Sequence, residues 1–198
     1  MAFENDSSGW GRKSKGDIAG LAFFLFATVV SFMAALERPT ILAWLATVHN
    51  GLLAIVFLVR RKPLRSDRIG LWLGLIAALL PTTTLPDRIS TPLLGIGLLS
   101  YAFLLWALVV LWKSFGIAPA DRGLVTKAPY SLVRHPMYLG ELVFRLVLVS
   151  ANFTLWSAIA FLALTAVQIL RIIREEPVIS GYNEYKATVR WRLIPGVW

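Results

Sequence analysis

The segment KAPYSLVRHPMYLG, Lys127 to Gly140, concentrates reactive side chains in a chain that has only two His residues. Proline turns the residue before it away from the helical region and suits the first helical position. Arg134-His135-Pro136 therefore predicts an extended His135 and a helix that starts at Pro136. The first-turn N–H groups and the positive dipole end of such a helix form a site for a carboxylate or a phosphate. Tyr138 and Gly140 fall in its first turns, and Gly140 lets another backbone or a ligand come close. A second cluster is Arg171-Ile172-Ile173-Arg174-Glu175-Glu176. Two carboxylates at a helix C-terminus repel each other and face the negative dipole end. Arg171, Arg174 or a bound cation must compensate them, and Arg171 shares a face with Glu175 at i, i+4. Taken together, the two clusters offer an anion site and a cation site to one zwitterionic ligand. Glu141 and Arg145 make another i, i+4 pair inside the helix that Pro136 opens, and they are expected to pair with each other. A place for Glu141 at the mouth of a substrate cavity is the alternative.

The elements that must position these residues are apolar. Of 198 residues, 57% are hydrophobic and 16% charged, and the mean hydropathy is +0.68. Soluble domains carry roughly 25% charged residues, so the chain reads as an all-α, polytopic membrane bundle. With no Cys, disulfides, thiol nucleophiles and thiolate metal sites are excluded. Apolar runs are expected as helices at Ile18–Leu36, Thr40–Val59, Ile69–Leu80, Thr91–Trp112, Pro136–Ala151 and Phe153–Ile173, about five to six of them crossing the membrane. Glu37-Arg38-Pro39 closes the first run, and Pro81 to Pro86 ends the third loosely. The organisation is a polar tail (1–17), an N-terminal membrane region (18–112) and a C-terminal region (113–198) that holds the two clusters. The first apolar run lacks a small-residue cleavage signature and reads as a retained span.

The net charge of +9 would suggest nucleic acid in a soluble protein. Here the basic residues flank apolar runs, so topology explains them. With the N-terminus in the cytoplasm and six alternating spans, every Lys and Arg except Arg38, Arg88 and Arg145 falls on the cytoplasmic side. Both termini, the linker and the two clusters are expected there. Gly70-Leu71-Trp72-Leu73-Gly74 has the small-xxx-small spacing of close helix packing. His49-Asn50, within a span, is read as making an interhelical hydrogen bond.

In order, Gly123-Leu124-Val125-Thr126, Pro129-Tyr130, Arg134 to Gly140, Glu175-Glu176, Tyr182-Asn183-Glu184-Tyr185 and Leu193-Ile194-Pro195 resemble the isoprenylcysteine carboxyl methyltransferase family and the related phospholipid methyltransferases. The resemblance covers about Lys113 to Trp198. It implies S-adenosylmethionine as methyl donor, in a cytoplasmic pocket built by the C-terminal half. It implies that Leu124, Val125, Tyr130, His135, Pro136 and Tyr138 line the cofactor, with Arg122 and Gly123 beside them, and that Glu175 holds a polar, cationic part of it, assisted by Glu176. It further implies that Arg171 faces the acceptor and pairs with its carboxylate. Two departures stand out: Ala128 replaces the usual Gly before Pro-Tyr, and the Glu176–Tyr182 segment is short.

The expected reaction is direct displacement, in which the protein aligns two bound partners. The expected acceptor is lipophilic, a prenylcysteine-type or other carboxylate, which needs no general base. A phospholipid amine or a small thiol needs one, and Glu141 or His135 is the candidate. No metal and no nucleic acid is expected. An NADPH-dependent membrane reductase, which shares a similar C-terminal region, and a non-enzymatic transporter or scaffold are the other readings. A transporter would carry ionisable groups near mid-membrane, whereas these crowd one side.

Overall fold

Each expected apolar run folds as a helix in the computed structural model, which describes residues 14–79 and 89–198. The Pro81–Pro86 stretch read as the loose end of the third run and most of the polar tail lie outside the described residues. The chain divides into two compact units, Met1–Arg61 and Lys62–Trp198.

The first unit is a hairpin of α1 (Lys15–Glu37) and α2 (Ile41–Val59), packed along each other. Ser14 starts α1 by accepting from the Asp17 N–H at 3.1 Å, and Asp17 accepts from the Ser14 N–H at 3.1 Å, a capping box. The Asp17 carboxylate also takes the Arg60 Nε–H at 2.6 Å, which ties the start of α1 to the end of α2. Gly20 lets the ring of Phe57 reach the α1 backbone, since a Cβ there would lie 2.0 Å from it. Asn50 donates across the pair to Ser31 Oγ at 3.3 Å and to the Ala27 carbonyl at 3.5 Å, the interhelical role read for the His49-Asn50 pair. Phe23, Phe26 and Val29 are more than half exposed. A helix apolar on its outer face suits lipid.

The second unit holds α3 (Arg68–Leu79), α4 (Thr91–Leu111) with a 3-10 turn at Trp112–Ser114, α5 (Pro136–Ala151), α6 (Leu155–Glu175) and the short α7 (Tyr182–Thr188). The starts of α3 and α5 and the ends of α4 and α6 meet in one polar cap, made with the 115–135 linker and the C-terminal tail. α4 packs on α5 and α3 on α6. Gly140 brings α5 onto α4, where a Cβ would sit 2.9 Å from the Leu104 backbone nitrogen. The Gly70/Gly74 face of α3 does serve close packing, but its partner is the linker and not a helix. A Cβ at Gly70 would fall 2.5 Å from the Pro119 ring, and one at Gly74 2.7 Å from the Ile117 carbonyl oxygen.

Among the described residues, four helices are long and apolar enough to cross a membrane: α1, α2, Thr91–Ser114 and α6. The 12 residues of α3 and 16 of α5 reach about 18 and 24 Å at ~1.5 Å per residue, less than the ~30 Å of a hydrocarbon core.

Candidate functional site

The polar cap holds an open cleft, with about 680 Å³ between its walls when the open solvent at its mouth is included. Pro136 is the first residue of α5, as its fixed φ favours, and His135 precedes it in a non-helical conformation, φ −129°. The N–H groups of Met137 and Tyr138, in the first turn, have no intrahelical acceptor. Both residues line the cleft. The segment before α5 is held by the tail: the Arg134 N–H donates to the Trp191 carbonyl at 2.8 Å and the His135 N–H to the Arg192 carbonyl at 2.9 Å.

Of the residues assigned to a cofactor, Arg122, Gly123, Leu124 and Val125 form one wall. Gly123 has φ 95°, a conformation that glycine adopts readily, and its N–H donates to Asp121 Oδ1 at 3.2 Å. Tyr130, His135, Tyr138 and Glu175 complete the predicted set within the cleft. Pro136 and Glu176 are not in its lining. The Pro136 ring is fully buried, so it sets the helix start without meeting a ligand. Ala128 carries no positive φ; among the described residues the only non-glycine that does is Trp112, and the Ala128–Pro129 bond is cis.

Of the paired carboxylates only Glu176 is met by cations among the described residues, and none of them comes from its own helix. Arg174 turns away from both and binds Asp67 through Nε at 2.5 Å and Nη2 at 2.9 Å. Glu176 receives Arg192 at 2.8 Å, Arg134 at 3.0 Å and the His135 ring at 3.5 Å. The Tyr182 hydroxyl donates to it at 3.3 Å. Burial works to raise the Glu176 pKa, but the His135 and Arg192 hydrogen bonds and the two Arg charges hold it well below the carboxylate range. Glu175 accepts the Tyr138 hydroxyl at 2.8 Å and, among the described residues, has no cation within ion-pair distance.

The two residues read as catalytic lie behind the cleft, outside its lining. Arg171 is buried. Its Nη1 donates to Gln168 Oε1 at 2.8 Å and its Nη2 to the Ile117 carbonyl at 3.0 Å. The guanidinium stacks 5.1 Å from the centre of the Tyr138 ring, so one aromatic layer separates it from the cleft. Gln168 passes the network on, donating to Glu141 Oε2 at 2.8 Å. Glu141 and Arg145 do pair, at 4.0 Å, but the shorter contact of Glu141 is the one to Gln168.

Several lining residues escaped the sequence reading. Phe115 and Gly116 come from the linker, and Arg134, Tyr182 and Tyr185 from segments quoted in the motif but given no role. Tyr182 and Tyr185 stand at i, i+3 in α7, a spacing that puts both on one face. Their rings meet edge to face at 5.4 Å. Burial pushes both phenols well above their ordinary pKa, so they stay protonated donors. Tyr185 donates to the Tyr130 carbonyl at 2.6 Å. Asp121, also unassigned, accepts the Ser180 hydroxyl at 2.5 Å and the Ser180 N–H at 3.1 Å. Those bonds lower its pKa and fasten the linker to the turn after α6.

Can the cleft hold a zwitterion with a cationic centre? Arg134, 8% exposed, lines it, and its Nε has no hydrogen-bond partner among the described residues. Arg134 and the α5 start are the positive side of the cleft, suited to a ligand's anionic group. Glu175, met by one phenol among the described residues, is the negative side, suited to a cationic group. Phe115, Leu124 and the Tyr rings supply apolar faces between them. The donor set fits such a ligand.

Residues 92–184 match the family model described as Phospholipid methyltransferase, within the group of membrane methyltransferases that the motifs resemble. No curated protein and no solved structure matches the chain.

Proposed function

We propose that this chain, a membrane methyltransferase by family, takes S-adenosylmethionine in the cleft of its polar cap and methylates a membrane lipid. The observation that carries the reading is the position of Glu175, a carboxylate on the cleft wall whose one close partner among the described residues is a phenol. A carboxylate at a helix C-terminus calls for a cation. S-adenosylmethionine supplies, when bound, an electrophilic methyl group on a sulfonium. Glu175 would hold the cationic part of the ligand. Arg134 and the first-turn N–H groups of α5 would hold its carboxylate. The Arg122–Val125 segment and Tyr130 would close the wall, and buried His135, tied to Tyr182 and Glu176, would keep that wall in place.

For the acceptor, an amine headgroup fits these residues better than the expected carboxylate. Arg171 lies outside the cleft lining behind the Tyr138 ring, with one N–H of each Nη already given to Gln168 and Ile117, so it is poorly placed to offer a carboxylate in the cleft the two parallel donors that bind it best. Glu141 keeps a quarter of its side chain exposed on α5. It can accept the proton that an ammonium headgroup must lose before its nitrogen has a free electron pair. The headgroup would enter between α5 and α6, beside Gln168. The bias of basic residues supports a cytoplasmic cleft, with both termini on the same side.

The test is calorimetric binding of S-adenosylhomocysteine to the purified protein in lipid, wild type against Glu175→Gln. Transfer of labelled methyl from S-adenosylmethionine to phosphatidylethanolamine, and to a prenylcysteine, is measured in parallel. Micromolar binding weakened at least about tenfold, roughly 1.4 kcal/mol, supports the site. No binding to the wild type in lipid or in detergent overturns it. Label in the prenylcysteine but not in the phospholipid returns the acceptor to a carboxylate.

A further inference from the structure

Outside the cleft, one short segment presents three cations that the mechanism does not use. Lys62, Arg65 and Arg68 are all exposed, and among the described residues none of them forms an ion pair. The acid in their midst, Asp67, is bound to Arg174. Leu64, between the cations, is 82% exposed. Arg68 opens α3, and one turn on, at i+4 and so on the same face, Trp72 is 66% exposed, with Ile69 at 56%. Exposed Trp on an apolar helix marks the level where acyl chains give way to headgroups. Arg68 therefore stands at headgroup depth.

The segment is also held in shape. The Leu64 N–H donates to the Asp121 carbonyl at 2.8 Å, the Asp121 N–H to the Arg65 carbonyl at 2.9 Å and the Asp67 N–H to the Pro119 carbonyl at 2.9 Å, around an antiparallel bridge between Ser66 and Ala120. The cations thus ride on a strap paired with the linker, and that linker continues directly into Arg122–Val125, the cleft wall.

We propose that the Lys62–Arg68 strap is a docking surface for the headgroups of anionic phospholipids in the bilayer that holds the protein, and that lipid bound there steadies the cleft wall. Charge and depth select this occupant. Juxtamembrane basic clusters attract anionic lipid strongly, and Leu64 adds an apolar contact at the same level. The effect on the wall, as far as it concerns cofactor affinity, rests on the proposed function; the docking does not.

The experiment measures amide hydrogen exchange in the full chain, in nanodiscs of phosphatidylcholine with and without phosphatidylglycerol. Amides of 62–68 and 119–125 are expected to exchange at least about threefold more slowly with the anionic lipid. Lys62→Gln/Arg65→Gln/Arg68→Gln should lose that protection, while Lys127→Gln/Lys186→Gln, which removes exposed charge elsewhere, should keep it. Added salt should abolish it in the wild type, a readout that does not depend on the triple variant folding. Equal exchange in both bilayers, or equal loss in the control variant, overturns the proposal. So does protection by inorganic phosphate in neutral nanodiscs, which would identify a free-anion site. S-adenosylhomocysteine affinity is measured in the same two bilayers. Its absence in both would sink the methyltransferase reading and leave the exchange result standing.

Discussion

On the tail side of the α6 C-terminus, Glu176 is met by Arg192 at 2.8 Å and Arg134 at 3.0 Å; on the cleft side, one residue earlier, Glu175 is met by a single phenol at 2.8 Å. Neighbouring residues on a helix point about 100° apart, so one carboxylate faces the returning tail and the other the cleft. The first is saturated and joins α6, α5 and the tail. The second keeps free acceptor capacity where a ligand can use it. Identical chemistry thus serves structure at one position and, in the proposed function, binding at the next, and the number of cations nearby separates the two.

The sharpest way to break this comparison is Glu176→Ala. Removing the partner of a largely buried pair leaves Arg134 and Arg192 uncompensated, so stability should fall by about 3 kcal/mol in thermal unfolding. A change under about 1 kcal/mol would mean that Glu176 does not anchor the tail. The same contrast extends to pH. Glu176 has its folded pKa held below its ordinary value of 4.5, so its contribution is complete above about 4.5. It should be lost as pH falls below that, toward the lower folded value. Glu176→Gln should flatten this acid limb in a melting series, whereas Glu175→Gln should leave it intact.

Gly74→Ala places a methyl 2.7 Å from the Ile117 carbonyl. It should cost about 2 kcal/mol of stability, and hydrogen exchange should show the linker loosened. Glu175→Gln should reverse the pattern of Glu176→Ala: ligand affinity falls about tenfold, near 1.4 kcal/mol, while melting shifts by less than about 1 kcal/mol. The smallest effect is expected from Ser14→Ala. Loss of the α1 cap should cost about 1 kcal/mol in thermal unfolding and leave S-adenosylhomocysteine binding unchanged.

Much of the fold is legible because membrane helices are local objects. An apolar run of sufficient length must satisfy its own backbone in lipid, so α1, α2, α4 and α6 could be placed within a few residues. Pro136 marked the start of α5 for an equally local reason. Most of the assigned cofactor residues do share one cleft, since the motif gathers segments that meet around α5 and the end of α6. What was not legible is which partner each polar group takes. Arg174 could have served the adjacent carboxylates, yet it finds Asp67, 107 positions away in sequence. Gly70 and Gly74 announced a close approach, but sequence could not say that a loop would fill it.

The sequence alone therefore determined the apolar helices, the helix start at Pro136 and the composition of the polar clusters beside it, because these follow from side-chain chemistry and backbone limits over a few residues. Only the tertiary structure decided that Glu175 faces the cleft and Glu176 the tail, that Arg171 lies behind Tyr138, and that the 62–68 strap is paired with the cleft wall. Those choices depend on distances between residues far apart in the chain, and electrostatic and hydrogen-bond energies are set by distance and burial.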